Sequence, residues 1–367
     1  MSVLLSPVVI GGVALANRLA VAPMSRVSTA GDGVPTENMA DYYAAFAHGG
    51  FGLVVTEGTY IDHAHSQAYA NQPAIVTGEQ VRAWARVVEA VHAEGARIVL
   101  QLMHAGALVQ HADVGIAPSV VPPRGRKLAG YGGVGPYPLP RAMTTGEIGD
   151  VVEAFAASAE RAREAGFDGV EVHAANGYLL DQFLTPYTNV RDDAYGADGG
   201  RIVAEVLEAI TALPAGVRLS QVKVNDLAYR WDDPTPLFES VARGRPAYVH
   251  IASEGAPWEE TSILASGETT TGLARRVFGV PVIANGGMHD AALAERLVAG
   301  GETDLVSLGH GALSNPDWPR RLAAGEPFEP FDPGLLRPEV TIENAQAYRD
   351  RARRPRTIAD PLPARGG

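Results

Sequence analysis

Eight short, almost unbroken apolar runs recur along the chain: Arg18–Pro23, Gly52–Thr56, Arg97–Leu102, Asp168–Val172, Val217–Val222, Ala247–Ile251, Pro281–Ala284 and Asp304–Leu308. Runs that are apolar on both faces predict strands of a parallel sheet covered on both sides. Between them the apolar spacing lengthens to that of a helix. In Glu79–Glu94, Val81, Trp84, Val88 and Val91 share one face, and in Glu147–Ala165 Ile148, Val151, Val152, Phe155, Ala159 and Ala162 do the same. Both read as amphipathic helices lying on a sheet, ended by Gly95 and Gly166. Repeated β-then-α units predict an α/β fold of the (β/α)8 TIM-barrel type, with active groups at the C-terminal ends of the strands. A doubly wound open sheet is the competing fold.

Three stretches depart from a bare barrel. Leu4–Leu15 (LLSPVVIGGVAL) reads as an N-terminal β-hairpin able to plug the barrel floor. Residues 103–145, rich in Pro and Gly, form a long insertion after strand 3, and loops of that length are usually functional lids. Residues 1–330 are therefore expected to be a single barrel domain. Residues 331–367, rich in Pro and Arg, are expected to be a partly flexible C-terminal extension. Within the lid, GYGGVG at 130–135 matches a dinucleotide-binding pattern, but PYPLP follows it where a helix would have to start. The glycines there suit a lid, with Tyr131 or Tyr137 available to cover a ligand.

Composition narrows the function. Mean hydropathy is −0.01, the net charge is −12 and the pI about 5.3, so neither nucleic acid nor an anionic membrane is an expected partner. There is no Cys, which excludes disulfides, thiol nucleophiles and thiolate metal sites. The N-terminus has no signal-peptide pattern and no run reaches membrane-span length, so a cytoplasmic location is expected. His63 and His65 lack a carboxylate cluster to complete a metal site.

Polar and small residues collect at the strand ends. Strand 1 runs into Met24, Ser25 and Arg26, strand 2 into Glu57 and Gly58, and strand 3 carries Gln101. Strand 4 runs into His173, with Asn176 and Tyr178 just beyond. Strand 5 carries Arg218, strand 7 ends in Asn285-Gly286-Gly287, and strand 8 in Gly309-His310. Glycines after strands 7 and 8 stand where barrels bind phosphate through backbone N–H groups.

NRLAVAPMSR, TEGTYI, QLMHAG, GFDGVEVHAANGYLLDQFLTPYTNVRDDAYG and DLVSLGHGALSNPDWPRRL together resemble the Old Yellow Enzyme family of FMN-dependent oxidoreductases. The likeness spans residues 4 to about 325. It implies FMN as cofactor and NADPH or NADH as reductant. It also implies an α,β-unsaturated carbonyl or nitro compound as substrate, and it is compatible with a homo-oligomer. By this resemblance Pro23, Met24 and Ser25 pack on the flavin, and Gly58 lies near the ring edge. Gln101 reads the pyrimidine end, and Arg218 sits by N1 and O2, where positive charge favours reduction. His173 and Asn176 hydrogen-bond the substrate oxygen as an oxyanion hole does, and Tyr178 protonates the alkene carbon opposite the one that takes hydride from flavin N5.

Some positions depart from the family. His310 stands where an arginine usually meets the FMN phosphate, so retention is expected to weaken as pH rises through ~6–8. Met103 replaces a common tryptophan and widens the pocket. Lys223 is one of two Lys among 30 basic residues. It keeps open a flavin-free, phosphate-binding lyase or aldolase. Two further readings stay open: the same flavin scaffold run as a dehydrogenase or isomerase, and a non-catalytic flavin-binding protein.

Overall fold

A computed structural model describes residues 2–223, 231–252 and 258–353. Eight strands, β1 (Leu19–Val21), β2 (Leu53–Val55), β3 (Arg97–Met103), β4 (Gly169–Asn176), β5 (Ala215–Lys223), β6 (Val249–Ala252), β7 (Val282–Asn285) and β8 (Leu305–Leu308), close into one barrel. Each pairs in parallel with the next, and β8 returns to β1 through Ser307 opposite Ala20. The fold is the (β/α)8 barrel that the apolar runs predict.

Side chains alternate across each strand. The outward set, including Leu100, Leu102, Val170, Val172, Val217 and Leu219, joins the main apolar core. The helices Gly78–Ala93 and Thr145–Glu164 start with capping boxes, Thr77 with Gln80 and Thr144 with Glu147. Gly95 and Gly166, at φ 83° and 91°, take the left-handed turn that ends them.

The inward set is layered. At the floor Ala20, Leu53, Val55, Val99, Tyr248, Ile283 and Leu305 pack with Ile10 and Leu15 of the N-terminal hairpin. That hairpin, Val8–Ile10 against Val13–Leu15, turns on Gly11 and Gly12, both at positive φ, and forms the plug. Above the floor the same face turns polar. Gln101 lies opposite Glu171, His173 opposite Arg218, and Arg218 opposite His250.

One expectation needs correction. Strand 4 does not end before His173; it runs on through Asn176, because β5 keeps pairing with it past a register shift to Lys223. After residue 331 the described chain packs back onto the barrel. A turn at Pro333–Leu336 and a helix at Ile342–Arg353 bury Leu335, Val340, Ile342 and Ala345. The Arg26 guanidinium donates to Thr341 O (2.9 Å), and the Ile342 amide donates to Ser28 Oγ (2.9 Å). Sparse apolar anchors and backbone hydrogen bonds hold this strap despite its Pro and Arg content. Residues 354–367 lie outside the described ones.

Candidate active site

A cleft opens at the C-terminal ends of the strands. Pro23, Met24 and Ser25 form the wall from β1, and Gln101 and Met103 the wall from β3. His173 and Asn176 come from the C-terminal half of β4 and Tyr178 from just beyond it, Arg218 from β5, His310 from the turn after β8, and Tyr131 from the lid. These expected site residues share one cavity.

Gly58, Asn285, Gly286, Gly287 and Gly309 do not line it. Gly58 stands directly behind the wall, where a Cβ would fall 2.4 Å from Met103 Sδ. The Asn285 amide is spent on the scaffold, donating to Ser307 O at 3.0 Å. Gly286 and Gly287 (φ 105° and 70°) make the left-handed turn that leads the chain out of β7. The side chain of Lys223 lies outside the described residues. Tyr137 is buried in the small apolar cluster under the lid, and of the two lid tyrosines Tyr131 is the one that reaches the cavity.

The wall after β4 is built by a local twist. Asn176 sits at φ 62°, a left-handed conformation that Asn tolerates better than most side chains, and Gly177 follows at 86°. The backbone N–H of Asn176 donates to Ser220 Oγ (2.8 Å), and that of Gly177 to Asp181 Oδ2 (2.6 Å). The chain then enters the helix Leu179–Leu184 with Tyr178 at its cap, the phenol ring edge-on to His173 at 5.0 Å.

Beneath this wall lies a polar layer that strand ends alone do not reveal. Glu171, fully buried, accepts from Gln101 Nε2 (2.8 Å), His250 Nδ1 (2.9 Å) and the Tyr248 hydroxyl (3.1 Å). Burial opposes its ionisation, yet His250, Arg218 and Gln101 outweigh that and hold its pKa at about 2. Burial pushes His250 below its ordinary value against the opposing pull of Glu171, and its ring bonds Glu171 through Nδ1 and the Ser307 hydroxyl through Nε2 (2.8 Å). Arg218 is the fixed cation of this layer. The bond to Glu171 also fixes Gln101, leaving Oε1 as its acceptor end. His173 is held neutral as well, its pKa lowered to about 3 by burial and then by Arg218.

The residues present fit a flavin and its guest. His173 Nδ1 and Asn176 Oδ1 are buried without a partner, the arrangement of a site that a polar ligand completes. Sequence reasoning missed Glu171, His250, Tyr69, Leu128, Leu313, Leu336 and Val340. The first two were legible as polar positions at period two inside apolar strands. The others come from loops and from the strap, where no periodicity marks them.

A closed barrel with a buried His–Asn pair, a phenol and a guanidinium around one cavity at the strand ends has the layout of a barrel enzyme. Residues 3–329 match the NADH:flavin oxidoreductase / NADH oxidase family. The chain belongs to this family, that of Old Yellow Enzyme, and is an FMN-dependent oxidoreductase that draws electrons from a nicotinamide. It is 37% identical to chanoclavine-I aldehyde reductase fgaOx3 of Penicillium roqueforti, over 90% of this chain and 92% of that protein. It is 33% identical to a probable flavin mononucleotide-dependent alkene reductase of Leishmania infantum, over 91% and 94%. Among solved structures, the Old Yellow Enzyme homologue of Zymomonas mobilis aligns with TM-score 0.83 at 29% identity, covering 94% of this chain and 99% of that one. Morphinone reductase aligns with TM-score 0.79 at 31% identity, over 91% and 93%. Among the described residues no helix is long and apolar enough to cross a membrane.

At the end of the cleft expected to hold the phosphate, the structure revises one expectation. His310 stacks on Phe331 (3.9 Å between ring centres, 8° between planes), and burial and then His289 push its pKa down. This lowering leaves the ring less charged at neutral pH than a free imidazole and shifts the expected weakening of FMN retention toward lower pH. His310→Arg should restore a fixed cation and tighten FMN binding about tenfold at pH 7.5, the scale of one added charge-assisted hydrogen bond. Fluorescence titration of the apoprotein measures this.

Proposed function

We propose that the protein is an ene-reductase, adding two hydrogens across the C=C bond of an α,β-unsaturated carbonyl or nitro compound. Bound FMN, once reduced by NADPH or NADH, supplies the hydride. Pro23, Met24, Ser25, Gln101 and Arg218 are the residues that would hold its ring, with Arg218 offering positive charge.

His173 and Asn176 position the substrate. A neutral His173 offers one ring N–H, and the Asn176 amide offers another, to the carbonyl or nitro oxygen. As hydride adds to the far alkene carbon, negative charge grows on that oxygen and both bonds strengthen. Tyr178 then delivers the proton: its O–H bond breaks, a C–H bond forms at the carbon next to the polarising group, and a phenolate is left. Leu128, Leu313, Leu336 and Val340 line the same cavity and suit a substrate with an apolar body.

The observation that carries this reading is the buried, unpartnered His173 Nδ1 beside the Tyr178 phenol, with Asn176 lining the same cavity. Anaerobic incubation with NADPH and cyclohexenone should yield cyclohexanone in equimolar amount to the NADPH consumed. NADPH consumption without loss of the alkene would count against it.

A further inference from the structure

We propose that Tyr69 is a positioning residue for the proton donor, keeping the Tyr178 phenol in place and steadying the phenolate it leaves. This rests on the ene-reductase reading above. The two hydroxyl oxygens lie 2.5 Å apart, and the rings are only 3% (Tyr69) and 7% (Tyr178) exposed. A phenol that loses its proton in such dry surroundings needs a donor already in place. The two hydroxyls are within hydrogen-bond reach, and such a bond gains strength as one partner ionises.

The order of ionisation follows from the surroundings. Burial, and then Tyr178, push the Tyr69 pKa well above the ordinary phenol value, so Tyr69 keeps its proton. Tyr131 and Tyr137 from the lid also face Tyr69, and the ring of His173 from β4, with its pKa lowered, lies edge-on to Tyr178. When the Tyr178 O–H breaks and the substrate C–H forms, the intact Tyr69 O–H donates to the phenolate oxygen. Water admitted as product leaves returns the proton to Tyr178, and Tyr69 ends the cycle unchanged.

Tyr69 is held for this task. Its loop is tied down by the Ala68 amide on Gln72 Oε1 (2.7 Å) and by the Gln110 amide on Ala68 O (2.9 Å). Its ring stacks on Tyr131 at 4.4 Å and 17°, so the lid that covers the cavity also sets the angle of the phenol.

A double-mutant cycle tests the assignment. The quantity read is the rate at which a saturating enone reoxidises the reduced holoenzyme, in the wild type, Tyr69→Phe, Tyr178→Phe and the double variant, each with full flavin content. Tyr69→Phe should slow this step on the order of tenfold, the rate equivalent of one hydrogen bond to a forming charge. Added to Tyr178→Phe it should change the rate less than twofold, because the charge it steadies is no longer formed. A further tenfold loss in that background, or a wild-type rate in Tyr69→Phe, overturns the inference and leaves the ene-reductase reading standing. Failure of the wild type to be reoxidised by any enone or nitroalkene overturns both.

Discussion

Tyr178→Phe slows alkene reduction by ~10²–10⁴-fold, the usual value of a positioned general acid, while NADPH still reduces the flavin at close to its normal rate. The ring is retained, so packing against His173 survives and only the O–H is lost. The split follows from the site: reducing the flavin needs no proton from this wall, whereas completing the alkene product does. Rapid-reaction measurement of each half-reaction separates the two. Equal losses in both would mean that the phenol organises the pocket instead of supplying a proton.

Glu171→Gln destabilises the fold by about 3–5 kcal/mol, although the change is isosteric. Three donors converge on the Glu171 carboxylate: Gln101, His250 and Tyr248. An amide would turn an N–H toward at least one of them and would remove a counter-charge from buried Arg218. The same carboxylate makes the protein acid-sensitive. Its folded pKa of about 2 lies below the ~4.3 of an unfolded glutamate, so its contribution is present above ~4.3 and is lost as pH falls toward 2. His173 adds to the loss, because below ~6.5 the unfolded ring binds a proton that the buried ring refuses until about pH 3. Glu57, raised to about 6 by burial, acts in the opposite sense between ~4.3 and 6. Denaturant midpoints should therefore fall between pH 5 and 3 in the wild type, and less steeply in Glu171→Gln.

Much of this architecture could be read from the chain because parallel strands buried on both faces advertise themselves as Val, Ile and Leu runs. Capping residues and terminal glycines marked the two long helices, and the Gly11-Gly12 turn marked the plug. The site was legible where strand ends carried it: His173, Asn176, Tyr178, Gln101 and Arg218 share the cavity they were assigned to. Legibility failed where position depends on tertiary contact. The strap is placed by a few anchors, Leu335, Val340 and Ile342, inside a segment whose composition suggests little order. Tyr69 lies in a loop and meets Tyr178 across 109 residues of sequence. After β7, Gly286 and Gly287 shape the turn and the Asn285 side chain bonds β8. His310 was read with the pKa of a free ring, which its burial and proximity to His289 change.

The claim on which the rest depends is that one cavity passes hydride to a polarised alkene gripped by His173 and Asn176. The most direct measurement is the visible spectrum of the purified yellow protein under anaerobic conditions. NADPH should bleach the flavin bands, and an equimolar amount of cyclohexenone should then restore them in full. Bands that return on admitting oxygen, but not with any enone or nitroalkene, would contradict the account.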